Sequence, residues 1–260
     1  MIIATWNINS VRLRHEMILN FTKKFEVDVL CLQETKTEDK DFPSESFKKA
    51  GYKDQHFIGQ KSYNGVAIIS KIPIINKFHH EWCKLKDARH VGVKLINKVT
   101  IHNFYVPAGG DIPNVDKNLK FKHKLNFLKE MISYFEKDST KNKILVGDLN
   151  IAPSKYDVWS HKQLINVVSY TETERQLLSK LLTKGNWIDV IRGQHKPDEK
   201  LYTWWSYRSK DWKKSNRGRR LDHILTTDDL VKKIKMIKIL PEFRDTKKPS
   251  DHVPVIAKFE

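Results

Sequence analysis

The chain has few of the residues from which secreted, zinc-finger or membrane proteins are built. Its 260 residues include only two cysteines, Cys31 and Cys83, and no group of Cys and His has zinc-site spacing. No apolar run approaches the roughly 18 residues of a membrane span, and no basic stretch precedes an apolar segment at the N-terminus. We therefore expect a soluble, cytoplasmic protein with no membrane partner.

Acidic residues are scarce relative to basic ones. Against 31 Asp and Glu there are 48 Lys and Arg, giving a formal net charge of +17. Such a charge attracts polyanions such as nucleic acids, although an AT-rich genome would also encode abundant Lys, Ile and Asn. With 39% hydrophobic and 10% aromatic residues the chain can bury a sizeable core, which excludes disordered, collagen-like and coiled-coil classes.

The basic residues are concentrated in one segment. Residues 208–220 hold seven of them, including four of the ten arginines, together with Trp212. Arginine makes bidentate contacts to phosphate and tryptophan offers a stacking face. The segment is typical of a loop that follows a phosphate backbone, and it could also be a solvated surface loop.

Short apolar runs rich in β-branched residues predict strands at 2–6, 27–32, 66–70, 91–96, 99–106, 144–146, 221–226 and 253–259. Helical spacing predicts a helix capped by Ser10 and helices near 121–135 and 171–182. Strands outnumber helices, so many strand pairs must be antiparallel, whereas the first strand–helix–strand segment favours a parallel pair. A mixed-sheet α/β sandwich follows. Without repeats or linkers, we expect one domain over residues 1–260.

Polar residues mark the ends of several predicted strands. Three strands end on an acid or an amide: Asn7, Glu34, and Asp148 with Asn150. Ligands of α/β folds usually bind outside the carboxyl ends of strands, so these endings indicate one shared cleft. An antiparallel strand begins at the edge where its neighbours end. Two further segments can therefore face the same cleft: Asp222, and Asp251 with His252.

Each of these residues taken alone has a simpler explanation. Asn7 and Asn9 could be turn residues. Glu34 could pair with Lys36 at the surface, and His252 could be a packing histidine. Together, however, several acids and a histidine at one sheet edge cost repulsion and desolvation unless a cation or a function offsets that cost.

The residue types predict metal-assisted hydrolysis of a phosphoester. Oxygen donors without thiolates suit Mg²⁺, or Mn²⁺, rather than zinc. Asp148 could orient or deprotonate an attacking water while Asn150 holds that geometry. Asp222 could fix the tautomer of His252, whose imidazole would donate to the phosphate. Tyr105 could add a phenol donor.

Six motifs resemble, in order and spacing, the exonuclease III family of AP endonucleases: WNIN at 6–9, LQETK at 32–36, YVP at 105–107, GDLN at 147–150, RLD at 220–222 and SDH at 250–252. The resemblance implies a four-layer endonuclease/exonuclease/phosphatase fold, in which two face-to-face β-sheets are flanked by helices. It implies Mg²⁺-dependent hydrolysis 5′ to abasic sites in duplex DNA, with 3′→5′ exonuclease and 3′-phosphatase activity. The expected partner is duplex DNA with abasic sites or 3′ ends, and the expected state is a monomer.

The same resemblance implies a role for each matching residue. Glu34 is the principal metal ligand, with three residues at or near the metal: Asn7, Asn9 and Asp251. The catalytic set comprises the water-activating pair Asp148 and Asn150, the carboxylate–histidine pair Asp222 and His252, and Tyr105 at the phosphate or leaving group. DNA contacts are expected from Lys36, Trp204, Arg208, Lys210, Trp212, Arg217, Arg219, Arg220 and Leu221.

Two departures bear on the substrate. After the YVP motif the chain has Ala108, two glycines and Asp111, where animal members have Asn and then Arg. Arg219 stands where relatives often place a bulky apolar residue against the abasic sugar, while Trp204 and Leu221 remain as pocket walls. Two other functions stay open: the same chemistry on RNA, a phosphoinositide or a sphingolipid, and a non-catalytic nucleic-acid-binding module.

Overall fold

Two six-stranded mixed sheets form the centre of the computed structural model, which describes residues 1–209 and 211–260. The strands are β1 (Ile2–Asn7), β2 (Val29–Gln33), β3 (Asp54–Ile58), β4 (Val66–Ser70), β5 (Ile74–Phe78), β6 (His90–Leu95), β7 (Thr100–Tyr105), β8 (Lys143–Asp148), β9 (Ile188–Asp189), β10 (Trp204–Trp205), β11 (Gly218–Arg219), β12 (Asp222–Thr226), β13 (Ile234–Ile239) and β14 (Val255–Phe259). All eight predicted strands are present within a few residues of the expected bounds, and the mixed α/β sandwich is confirmed.

Each sheet has one parallel pair at its centre. The first sheet has the order β13-β14-β1-β2-β4-β3, and β1 pairs with β2 in parallel, as the first strand–helix–strand segment predicted. The second has the order β5-β6-β7-β8-β12-β9, with β7 and β8 parallel. β10 and β11 form a separate two-stranded ribbon. β14 runs antiparallel to β1 and β12 antiparallel to β8, so the starts of β12 and β14 lie beside the ends of their neighbours.

The helices are α1 (His15–Lys24), α2 (Ser44–Lys49), α3 (Leu119–Glu136), α4 (His161–Leu164), α5 (Glu172–Lys184), α6 (Val190–Gly193), α7 (Trp212–Ser215) and α8 (Asp228–Val231). Asn118 caps α3, and Thr171 opens α5 with a capping box. The prediction that Ser10 caps α1 is wrong, because α1 begins at His15 after a turn and Arg14 stands at the N-cap position. In the described part of the chain, no helix is long and apolar enough to span a membrane.

The alternating side chains of both sheets build three apolar layers. Ile3 and Cys31 of the first sheet pack with Val93 and Val146 of the second in the central layer. Trp6 and Phe21 belong to the outer layer under α1, and Phe135 and Trp187 to the outer layer under α3 and α5. Trp6 and Trp187 are thus core residues. The resulting order is helix, sheet, sheet, helix, and the cleft lies where the strand ends of both sheets meet.

Candidate active site

The side chain of Asn7 ties the two sheets together at the cleft. Asn7 ends β1 and is fully buried, and its amide donates to Glu34 Oε1 at 2.8 Å and to Asp148 Oδ2 at 2.9 Å. Glu34 follows β2 of the first sheet, whereas Asp148 ends β8 of the second. Three of the predicted site residues therefore meet at one point, although each comes from a different strand end.

Asn150 fixes both oxygens of the Asp148 carboxylate. Its backbone N–H donates to Asp148 Oδ1 at 2.9 Å, and its side-chain amide donates to Asp148 Oδ2 at 3.1 Å and to the carbonyl of Val106 at 2.9 Å. Asn150 adopts a left-handed backbone conformation, with φ of 54°, which turns the chain back towards the carboxylate. The GDLN motif is thus a tight turn that presents an oriented, buried carboxylate.

Asp222 and His252 form the carboxylate–histidine pair that the sequence predicted. The β12–β8 register places Asp222 directly opposite Asp148. His252 Nδ1 lies 2.7 Å from Asp222 Oδ2, and its Nε2 lies 3.6 Å from Asp148 Oδ2. The indole of Trp6 donates to the carbonyl of His252 at 3.1 Å, which anchors the histidine from the core side. The imidazole is therefore clamped by one carboxylate and faces a second.

Burial and these neighbours shift the protonation equilibria of the site. Burial raises the pKa of Asp148 to about 7, with Asp222 acting in the same direction and His252 and Asn7 opposing it. Burial alone would lower the pKa of His252, but the charges of Asp222 and Asp148 outweigh it and raise the pKa to about 10. At neutral pH the imidazole is consequently cationic, and Asp148 is a stronger base than an ordinary carboxylate.

Tyr105 lies at the end of β7, beside Asp148 in the parallel pair. Burial, followed by the negative charges of Glu34 and Asp148, raises the pKa of Tyr105 well above its ordinary value. The guanidinium of Arg89 lies 4.9 Å from the centre of the Tyr105 ring. The phenol therefore keeps its proton and can donate it in a hydrogen bond. Sequence reasoning missed Arg89, because it follows no recognisable strand-end pattern.

The residues predicted to hold a metal form a network of oxygen donors. Glu34, with 17% of its side chain exposed, lies 2.8 Å from Lys36 Nζ, which also donates to Asn9 Oδ1 at 2.6 Å. The amide of Asn9 donates in turn to Asp251 Oδ1 at 3.1 Å. The oxygens of Glu34, Asn9 and Asp251 are of the type that a hard divalent cation binds, and those of Glu34 and Asn9 already contact the ammonium of Lys36. Lys36 is turned towards these oxygens, and the DNA contact predicted for it stays a prediction.

A second group of possible ligands lies deeper in the site. Asp148, Asp222 and His252 offer ligand atoms that all lie within 4.8 Å of one another. Asp222 Oδ1 is buried and has no hydrogen-bond partner among residues 1–209 and 211–260. A cation bound here would compete with the short His252–Asp222 hydrogen bond. We therefore favour the more open network around Glu34 as the metal position.

The acidic residues Glu34, Asp148 and Asp251 line one side of a cleft of about 540 Å³. Basic and aromatic side chains line its other side, which we call the basic wall. Five of the predicted DNA-contacting residues line the cleft: Trp204, Arg208, Arg217, Arg219 and Leu221. The guanidinium of Arg219 lies 5.3 Å from the ring centre of Trp204, and that of Arg217 lies 4.8 Å from the ring centre of Trp159. Trp159 was missed by sequence reasoning, since it lies about 50 residues before the basic segment.

Two other predicted DNA contacts, Arg220 and Trp212, do not line this cleft. The prediction for Arg220 is wrong, because its side chain is 0% exposed and pairs with Asp157 at 2.6 Å and Asp189 at 2.8 Å. Trp212 lies outside the cleft, where its ring packs on Trp205 at 5.0 Å, so its DNA contact stays a prediction. Lys210 lies outside the described residues.

Comparison with known proteins gives a consistent result along the whole chain. The model of the endonuclease/exonuclease/phosphatase family matches residues 4–252. Exodeoxyribonuclease III of Haemophilus influenzae is 30% identical over 98% of both chains. A DNA-(apurinic or apyrimidinic site) endonuclease of Dictyostelium discoideum is 30% identical over 97% of this chain and 69% of its own length.

Solved structures show the same similarity. An AP endonuclease from Archaeoglobus fulgidus superposes with a TM-score of 0.93 at 33% identity, covering 100% of this chain and 99% of that one. A 3′ phosphatase from Neisseria, bound to a product DNA hairpin, superposes with a TM-score of 0.92 at 29% identity and the same coverage. The expected fold is confirmed by these similarities.

Proposed function

The chain belongs to the endonuclease/exonuclease/phosphatase family, and we propose that it is a DNA-repair nuclease that cleaves duplex DNA 5′ to abasic sites and degrades or trims 3′ ends. The observation that carries this proposal is the meeting of Glu34, Asp148 and the Asp222–His252 pair in one cleft with a basic wall. Since these residues come from both sheets, residues 1–260 would act as one catalytic domain. A monomer in the cytoplasm stays our expectation.

The buried acid–base groups would divide the work of hydrolysis. Asp148 would take the proton of the attacking water, because a base with a pKa near 7 is well matched to neutral pH. Asn150 and Asn7 would hold its carboxylate through their amide hydrogen bonds. His252, kept cationic and oriented by Asp222, would donate from Nε2 to an oxygen of the scissile phosphate. These preorganised groups act without the reorganisation that water would require.

Tyr105 and the metal site would act on the charge that develops during cleavage. The protonated phenol of Tyr105 would donate to the phosphate or to the leaving oxygen. Mg²⁺, held by Glu34 with help from Asn7, Asn9 and Asp251, would neutralise charge on the phosphate when bound. The choice of Mg²⁺ rests on the all-oxygen donor set, which Mn²⁺ would also suit.

Cationic side chains would place the DNA backbone along the cleft. Arg208 and Arg217 are exposed at its rim, and Arg219 is held against the wall by hydrogen bonds from its Nη1 to Val168 and Ser169. Contacts of this kind bind phosphates without reading bases. The relatives named for exodeoxyribonuclease and abasic-site endonuclease activity support DNA as the polymer that these residues bind.

A direct assay would test the proposed substrate. Purified protein with Mg²⁺ would be incubated with a duplex containing one abasic analogue, and in parallel with recessed 3′ ends, a 3′-phosphate, an RNA duplex and an inositol phosphate. We expect incision at the abasic analogue, release of nucleotides or phosphate from 3′ ends, and loss of both with EDTA. Faster turnover of the RNA or the inositol phosphate would refute abasic DNA as the substrate. Tight DNA binding without any turnover would refute the proposal that the protein is an enzyme.

A further inference from the structure

A fully buried ion pair lies behind the catalytic turn. Lys124 of α3 and Glu174 of α5 are each 0% exposed, and Lys124 Nζ lies 2.5 Å from Glu174 Oε1. The same ammonium donates to the carbonyl of Asn150 at 2.8 Å and to the carbonyl of Ala108 at 3.2 Å. An ammonium has three hydrogens, and here each has an acceptor. Lys124 therefore joins two segments that line the cleft.

Glu174 connects the pair to the basic wall. Its carboxylate accepts hydrogen bonds from the backbone N–H of Ser169 at 3.0 Å and from the N–H and hydroxyl of Thr171. Ser169 Oγ in turn accepts from Arg219 Nη1 at 2.7 Å. A continuous chain of contacts thus runs from the carbonyl of Asn150 through two buried charges to an arginine of the cleft.

The helix α3 does not need a charge at this position. Asn118 already caps it, and the neighbouring buried residues Phe121, Leu125 and Leu128 are apolar. A buried ion pair is often no more stabilising than apolar residues of similar volume, because both charges lose their hydration. The position of Lys124 therefore calls for a reason other than packing.

The loop after β7 is shaped around the same lysine. Gly109 has φ of 91°, and a Cβ atom there would lie 2.9 Å from Lys124 Cδ and 3.0 Å from a methyl group of Val168. The glycine thus allows the Ala108 carbonyl to reach the ammonium. This contact gives Gly109 a structural role in the Ala-Gly-Gly-Asp sequence that follows the YVP motif.

We propose that Lys124 is a positioning residue for hydrolysis, which acts through Asn150 on the Asp148 carboxylate. Its ammonium holds the carbonyl of Asn150 and so fixes the left-handed turn whose amides orient Asp148. Glu174 keeps the ammonium in place and fixes the wall that carries Arg219. The inference rests on the proposed function, in which Asp148 activates water.

The test compares two buried lysines. Lys124 of α3 contacts the Asn150 turn that follows β8, and Lys143 is the first residue of β8. Lys124→Met removes the ammonium, and the double variant Lys124→Met/Glu174→Gln also removes the charge left behind. Lys143→Met is the matched control, because Lys143 is 1% exposed and pairs with Asp138 at 2.9 Å at the start of β8, away from the cleft. For each protein, kcat and KM on abasic duplex, unfolding in urea, and hydrogen exchange of the 148–152 peptide would be measured.

We expect kcat to fall about 10- to 100-fold in both Lys124 variants, with KM changed by no more than about threefold, because positioning errors act on the chemical step. The 148–152 peptide should exchange faster in both, whereas the double variant should recover stability relative to Lys124→Met. Lys143→Met should lose stability and keep kcat and exchange protection. A double variant with normal kcat and protection, or an equal loss of kcat in Lys143→Met, would overturn the proposal.

Failure of the proposed function can be distinguished from failure of the positioning role of Lys124. A wild-type protein without nuclease activity would reject the proposed reaction. The hydrogen-exchange comparison would still decide whether Lys124 orders the Asn150 turn: unchanged exchange in both Lys124 variants would refute that part by itself.

Discussion

Asp148 in the cleft and Asp157 beside Arg220 are both almost fully buried but have opposite surroundings. Asp157 accepts hydrogen bonds from Arg220 and Arg192, each at 2.6 Å, and these cations outweigh burial and lower its pKa to about 2. Asp148 lies among other acids and a single histidine, and burial raises its pKa to about 7. In the Arg220 cluster the charges neutralise each other, whereas at Asp148 excess negative charge is left for a metal or a substrate.

The difference separates a structural role from a chemical one. Arg220 pairs with both Asp157 and Asp189 and adds a weak contact to His223 at 3.4 Å. In the cleft, by contrast, the carboxylates of Asp148 and Asp222 share the single imidazole of His252, and Glu34 adds a further negative charge near Asp148. Unbalanced buried charge costs folding energy, and it persists where function requires it. The two regions should therefore respond differently to the same chemical change.

The largest expected effect is on catalysis, from Asp148→Asn. This change keeps the shape of the side chain but removes the base, so the single-turnover rate on abasic duplex should fall about 10³-fold or more. DNA affinity, measured by anisotropy, should change little. Stability in urea should be equal to or higher than that of the wild type, because a buried charge among acids is removed. A rate near that of the wild type would refute the role of Asp148 as base.

The matched change in the other region is Asp157→Asn. Loss of this carboxylate leaves Arg220 with Asp189 alone and removes the acidic partner of Arg192, and breaking a buried ion pair costs about 3 to 5 kcal/mol. The free energy of unfolding in urea should fall by that order. The folded protein, assayed at a urea concentration far below its unfolding midpoint, should keep kcat within about threefold of the wild type. Loss of kcat with normal stability would show that Asp157 has a catalytic role, and would refute the contrast between a structural Asp157 and a catalytic Asp148.

Most of the fold and of the candidate site could be predicted from motif order and strand patterns. The strands that were missed lie largely at sheet edges: β3 and β13 border the first sheet, and β5 and β9 border the second. Edge strands such as β5 and β13 carry charged or exposed residues, so their apolar alternation is weak. Central strands were identified because both of their faces are buried.

The error at Arg220 has a physical cause that sequence reading cannot resolve. Successive residues of an extended segment point to opposite sides, so Arg219 reaches the cleft while Arg220 points into the protein. Its acidic partners, Asp157 and Asp189, are 63 and 31 residues away in the chain. The basic run gives no sign of which arginine has partners, because such distant pairing becomes visible only in the folded chain.

The pH dependence of stability offers a smaller effect that sharpens the comparison. The pKa of Asp157 falls from 3.8 to about 2 on folding, so its ionised form stabilises the native state above about pH 4. This contribution, about 2 kcal/mol from the pKa difference, should be lost as the pH falls from about 4 to 2. The gap in unfolding free energy between the wild type and Asp157→Asn should therefore narrow over that range. A gap independent of pH would show that the ion pairs do not account for the stabilisation.

The smallest expected effect concerns an arginine at the exposed rim of the cleft. Arg208 is exposed at the rim of the cleft, so Arg208→Gln should leave the free energy of unfolding within about 0.5 kcal/mol of the wild type. If Arg208 contacts a phosphate, the variant should bind duplex DNA several-fold more weakly, and the slope of log affinity against log salt should decrease by about 1. Lys141→Gln, an equal charge change just before β8 and away from the cleft, is the control. An equal loss of affinity in both variants would mean that overall charge, rather than the basic wall, attracts the DNA.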